Sequence, residues 1–106
     1  MYGNIKMKYK LWLDDCRPAP AGWDWHLHVD TMIDDMMRLF IKGAEIEMIS
    51  LDNDLGEYEK EGYKVLDWLE SLQKPITFGI HIHSANPVAR ERMRAIIQRN
   101  GWTEVR

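Results

Sequence analysis

The chain has 106 residues, of which 45% are hydrophobic and 29% charged, the balance of a soluble globular protein with room for one hydrophobic core and not two. Its formal net charge of -3 supplies no global positive field, so duplex DNA is not an expected partner. The single cysteine, Cys16, excludes an internal disulfide and any all-cysteine metal site. With no membrane-length apolar run and no signal-peptide core in "MYGNIKMKYK", a cytoplasmic, one-domain protein spanning 1–106 is expected.

"YKLWL" (9–13) is a short apolar run stopped by Asp14 and Asp15, and reads as a strand. "RPAPAGW" carries two prolines and a glycine, so a loop follows. "WHLHV" (25–29) alternates Trp25, Leu27 and Val29 with His26 and His28, the period of a strand with a more polar face. Asp30 or Thr31 suits the cap of a helix through "MIDDMMRLFIKG", with Met32, Ile33, Met36, Met37 and Phe40 as its apolar stripe and Gly43 as its stop. "IEMISL" is the next strand. Tyr63 to Leu72 reads as a helix burying Val65, Leu66, Trp68, Leu69 and Leu72, with Pro75 beyond it. "ITFGIHIH" (76–83) is a fourth strand. In "NPVARERMRAIIQRNG" Asn86 suits the cap, Pro87 the first helical position and Gly101 the exit. "TEV" adds a short last strand. Strands alternating with helices predict a single, mainly parallel α/β sheet flanked by helices.

Ligands of such sheets bind beyond the carboxyl ends of the strands, and there the chain gathers its polar residues, in "LWLDDCRP", "ISLDNDLG" and "IHIHSANP". Asp14, Asp15, Asp52 and Asp54 are expected to converge. Carboxylates at close range repel and need a cation or a raised pKa to coexist. Mg²⁺ or Mn²⁺ fits one or two of them plus waters and a substrate phosphate, with Asn53 or a backbone carbonyl as a neutral ligand. Any one aspartate after a strand is ordinarily a turn residue or a cap; the four together favour a metal or phosphate site.

His81 and His83 share one side of the fourth strand. His83, nearer the rim, suits a general acid or base, whereas His81 reads as a hydrogen-bonded core residue. Ser84 and Asn86 lie at a strand-to-helix junction, where free N–H groups and the helix dipole favour a phosphate, although Asn86 also caps. Arg17 offers a planar fork for phosphate or a salt bridge to a neighbouring aspartate. Arg90, Arg92, Arg94 and Arg99 share no single face and read mostly as solvated surface. Cys16 beside two aspartates has its thiolate disfavoured and is not a candidate nucleophile.

"LWLDDCRPAPAGW", "ISLDNDLG", "GYKVLDWLE" and "IHSANPVARERM" together resemble the cyclic-phosphate processing receiver domain family, over Tyr9 to Gly101. More distantly the chain is similar to response-regulator receivers. That likeness implies strand order 2-1-3-4-5, with the first and third strands adjacent. It implies Asp14 and Asp15 as the acidic pair holding Mg²⁺, Asp52 as the phosphoacceptor position and Ser84 as the hydroxyl ending the fourth strand. Three departures stand out: Thr103 and Glu104 where receivers carry a lysine, a Pro-rich loop in place of the first helix, and no last helix. The family implies processing of cyclic phosphates. The function expected is thus a metal-dependent phosphoesterase for an RNA end or a cyclic nucleotide. In it His83, Asp52 and Ser84 are catalytic, Arg17, Ser84 and Asn86 bind phosphate, and His83 faces the acids across a phosphate-sized gap. Two alternatives use the same rim: a non-enzymatic receiver-type signalling or interaction module, and a nucleotide-binding sensor.

Overall fold

A computed structural model of the protein describes residues 7–106; most of the amino-terminal stretch searched above for a signal-peptide core lies outside that range. The elements run β1 (Lys8–Leu13), β2 (Asp24–His26), α1 (Val29–Lys42), β3 (Glu45–Leu51), α2 (Tyr63–Ser71), β4 (Gly79–Ile82), α3 (Pro87–Arg99) and β5 (Thr103–Val105). The five strands form one sheet of order β2-β1-β3-β4-β5, and every pairing is parallel. The expected fold and strand order are therefore both present, with a loop after β1 where a helix would otherwise stand. No helix among the described residues is long and apolar enough to cross a membrane.

Period-two alternation in the strands sorts their residues onto two faces. Leu11, Leu13, Ile49, Leu51 and Ile80 enter a single buried cluster that includes Met32, Met36 and Leu39 of α1, Leu66 and Leu69 of α2, and Met93 and Ile97 of α3. All three helices thus cover the same face. The alternate positions Lys10, Trp12, Met48 and His81 remain partly exposed, and no helix covers that side among the described residues.

Three local expectations are corrected. The second strand ends at His26, and His28, not Asp30 or Thr31, is the cap residue of α1, with extended backbone and no side-chain cap bond. The reason is burial. Val29 is only 3% exposed, and starting the helix there sets the inward stripe at Val29, Met32, Met36 and Leu39, leaving Met37 43% exposed. The fourth strand is shorter than 76–83: its pairing with both β3 and β5 begins at Gly79, and its pairing with β3 ends at Ile82. The helix exits and the cap of α3 are as read: Gly43 and Gly101 adopt φ 71° and 68°, and Asn86 Oδ1 accepts from Ala89 N at 3.1 Å.

Parallel strands end at one rim, and here the ladder runs one residue past them. Asp14 N donates to His26 O (3.0 Å), Asp52 N to Leu13 O (2.9 Å) and His83 N to Leu51 O (3.0 Å). The first polar residue after each of β1, β3 and β4 is thereby fixed by backbone bonds before any side chain acts.

Candidate metal and phosphate site

Asp14, Asp15 and Asp52 each present a carboxylate oxygen within 4.8 Å of the others. Asp14 is fully buried and Asp52 is 8% exposed, while Asp15 is open to solvent. The three carboxylates are not equivalent. Asp14 Oδ1 accepts from Cys16 N and Arg17 N, both at 2.8 Å, and Oδ2 accepts from Arg17 Nε and His83 Nε2, both at 3.0 Å. Burial pushes the Asp14 carboxyl up, but those donors outweigh it and hold the group below the usual aspartate range. Asp52 has fewer supports: Asn53 N at 2.9 Å and Arg17 Nη2 at 3.7 Å. Burial, reinforced by the charges of Asp14 and Asp15, leaves its carboxyl raised.

A hard divalent cation prefers oxygen ligands and commonly takes one or two carboxylates with waters. The donor set fits that description. Asp15 and Asp52 carry the oxygens with capacity to spare, and Asp14 lies behind them with its lone pairs engaged. Arg17 now sits among the acids as their internal countercharge, the salt bridge weighed for it from the sequence. Asp54 does not join the three carboxylates. It is exposed, and its oxygens receive Asn53 Nδ2 at 3.3 Å and Asn86 Nδ2 at 3.4 Å. Asn53, expected as a neutral ligand, is a buried staple of the loop instead: Oδ1 accepts from Tyr63 N at 3.2 Å and Nδ2 donates to Glu61 Oε2 at 3.0 Å.

His83 lies directly against the acids, with no phosphate-sized gap between them. Its ring stacks on Trp12 at 4.0 Å between centroids and 6° between planes, and its side chain is 8% exposed. Burial is the leading cause that lowers its pKa, against the raising influence of Asp14. Two indoles latch the loop after β1 to this rim: Trp12 Nε1 donates to Arg17 O at 2.9 Å and Trp25 Nε1 to Asp14 O at 2.7 Å. Beyond β4, Ser84 is buried and its Oγ accepts from Asn86 N at 3.1 Å, while Asn86 caps α3.

A cleft of about 340 Å³ adjoins this side of the site, lined among others by His81, His83, Ser84, Arg90 and Arg94. Larger clefts, about 380 and 450 Å³, are lined by residues such as Phe40, Lys74 and Trp102 at the opposite end of the strands, away from the carboxylates. They have no part in this chemistry.

The sequence reading passed over Ser50 and Gly62. Ser50 is fully buried between Ile49 and Leu51, and its Oγ lies 2.7 Å from Nδ1 of both His81 and His83. A lone hydroxyl inside an apolar strand is the signal that was available, since a buried hydroxyl needs a partner. Gly62 packs its Cα against Asp52 O, where an added Cβ would stand 1.8 Å away; no local pattern marks that position.

The family model of the cyclic-phosphate processing receiver domain matches residues 9–99. No curated protein and no solved structure gives a significant match. The chain belongs to the cyclic-phosphate processing receiver family.

Proposed function

We propose that this member of the family is a divalent-metal-dependent phosphoesterase acting on a cyclic phosphate, borne by an RNA end or a nucleotide. The observation that carries the reading is the meeting of Asp14, Asp15 and Asp52 within 4.8 Å, with His83 against them at 3.0 Å from Asp14. When bound there by Asp15 and Asp52, Mg²⁺ or Mn²⁺ supplies polarisation of a phosphoryl oxygen and activation of water. Arg17, whose side chain is 55% exposed, is free to turn from the acids to a phosphate and grip it with its planar fork. Ser84 and the amino end of α3, presented by Asn86, orient the ester. The imidazole system that begins at His83 moves the proton. Water adds across one P–O bond of the ring, leaving a phosphomonoester and a free hydroxyl. The receiver-type alternative lacks a part: β5 reads Thr103, Glu104, Val105, with no lysine. The lone, exposed Cys16 supports a reducing, cytoplasmic setting.

The test is to incubate the protein with Mg²⁺ or Mn²⁺ and a panel of 2′,3′-cyclic nucleotides and cyclic-ended oligonucleotides, following phosphorus by NMR. Conversion of a cyclic ester to a monoester is expected. Tight binding without turnover transfers the site to the sensor reading, and neither binding nor turnover defeats both.

A further inference from the structure

Ser50 Oγ has two imidazole neighbours, His81 Nδ1 and His83 Nδ1, each at 2.7 Å. A hydroxyl carries one hydrogen, so it donates to one ring and accepts from the other. Asp14 settles the direction. Its Oδ2 lies 3.0 Å from His83 Nε2, and a carboxylate only accepts, so Nε2 bears the hydrogen. In the uncharged ring, the form an imidazole takes above its ordinary pKa of about 6.5, Nδ1 is then a lone pair and receives the Ser50 hydroxyl. Ser50 in turn accepts from His81 Nδ1–H, which leaves a lone pair on His81 Nε2.

That last nitrogen has no hydrogen-bond partner among the described residues. Since no buried side-chain nitrogen or oxygen there lacks a partner, His81 Nε2 is open to solvent. His81 lines the cleft of about 340 Å³ with Ser84, Arg90, Arg94, Glu104 and Arg106. Glu104 occupies Arg94, with Nε at 3.0 Å, and draws Arg106 to 3.8 Å. Arg90 is exposed and available to an anion.

We propose that His81 is a catalytic residue. Its Nε2 takes the proton of the water that attacks a phosphate ester bound in this cleft, and Asp14, His83 and Ser50 form a positioning chain that holds the ring in the required tautomer. The substrate class rests on the phosphoesterase reading above. In the step, a water O–H bond breaks as an O–P bond forms, and the proton goes to His81 Nε2. The ester P–O bond then breaks, and its oxygen takes the proton back from the imidazolium. No other reactant is needed. The chain explains why a buried serine stands between two histidines, and why the better-placed base is the ring farther from the carboxylates.

Nitrogen-15 NMR of histidine-labelled protein reads the tautomer of each ring without any turnover. The wild type is expected to show His81 protonated on Nδ1 and His83 on Nε2. In Ser50→Ala, His81 is expected to revert to the tautomer mixture of a free imidazole. A wild-type His81 protonated on Nε2 alone, or a tautomer unmoved by Ser50→Ala, overturns the chain. His81→Gln keeps an amide able to reach Ser50 but cannot carry a proton; kcat is expected to fall by about 10²–10⁴, with the melting temperature close to wild type. Full activity in His81→Gln overturns the role of His81 and spares the phosphoesterase reading. A wild type that turns over no cyclic phosphate defeats that reading and the catalytic role together, and the tautomer measurement still decides the chain.

Discussion

His83 Nε2 and Asp14 Oδ2 meet at 3.0 Å, a bond that passes over β3 to join the ends of β1 and β4. Neither group is open to water: the side chains are 8% and 1% exposed. A buried carboxylate is tolerated only with donors around it, and four donors converge on Asp14. The backbone bonds that carry the ladder one residue past each strand hold the partners in register. The rim is thereby organised by the fold, and Asp52 and Asp15 are left as the groups with unmet demand.

Asp52→Asn tests that demand. Burial holds the Asp52 carboxyl above its unfolded value of 3.8. With the folded pKa above the unfolded one, the ionised side chain opposes folding at all pH above the folded value, and the cost fades as pH falls toward 3.8. In a chelating buffer at neutral pH, Asp52→Asn is therefore expected to melt higher than wild type, with the difference closing in acid. Adding Mg²⁺ or Mn²⁺ reverses the order. A ligand at 100 times its Kd stabilises the folded state by about 2.7 kcal/mol, and the variant should lose most of that increment. Equal metal responses in the two proteins would count against the site.

Arg17 offsets part of the acids' charge from within, through Asp14 at 3.0 Å and Asp52 at 3.7 Å. It competes with a cation for the same charge. Arg17→Gln is expected to tighten Mn²⁺ binding, by calorimetry, while weakening affinity for a cyclic nucleotide in the metal-loaded protein. Phosphate contacts of this charge-assisted kind contribute roughly 1.5–3 kcal/mol each. Weakening of both affinities together would show that Arg17 builds the loop and does not serve the ligand.

Gly62→Ala probes the floor of the site from a position remote in sequence. The added Cβ would stand 1.8 Å from Asp52 O and 2.9 Å from Asp52 C, and the neighbouring backbone is pinned by Gly62 N donating to Asn53 O at 2.8 Å. Backbone cannot yield as a side chain can, so a loss of about 1–3 kcal/mol is expected, with metal response reduced beyond what stability explains. Gly79→Ala is the comparison: its Cβ meets Val105 Cγ2 at 2.4 Å, the end of a side chain that can turn away. Thermal melts with and without metal separate the two. Equal behaviour would mean that Gly62 has no special hold on Asp52.

Much of this architecture was legible because each element carries its own local signal. Apolar runs end in acids, Gly43 and Gly101 mark exits, and Asn86 with Pro87 marks an entry, so the α/β order and the three converging strand ends could be read directly. What escaped depends on contacts between distant segments. Met37 reads as inward from a helix start one turn late; burial of Val29 outweighs a side-chain cap. Asp54 belongs with the other acids by proximity in sequence, yet the loop staple at Asn53 leaves it beside Asn86. His81 read as core because strand position alone does not reveal which ring nitrogen remains open. Ser50 needed both histidines in view before its hydroxyl had a meaning.

His83→Ala is the sharpest test of the positioning chain. Removing the ring breaks the bond to Asp14 and the stack on Trp12, so some stability is lost; His83→Gln, which retains an amide near both Asp14 and Ser50, separates that loss from chemistry. His83→Ala should lower kcat under metal-saturated conditions, because Ser50 loses the acceptor that fixes the His81 tautomer; His83→Gln, whose amide can donate to Asp14 and accept from Ser50, should keep most of the activity. KM should move far less, since the phosphate contacts of Arg17 and Ser84 are untouched. The thermal shift on adding Mn²⁺ should persist in His83→Gln, because Asp15 and Asp52 remain. If His83→Ala keeps full turnover, His83 does not position His81 through Ser50.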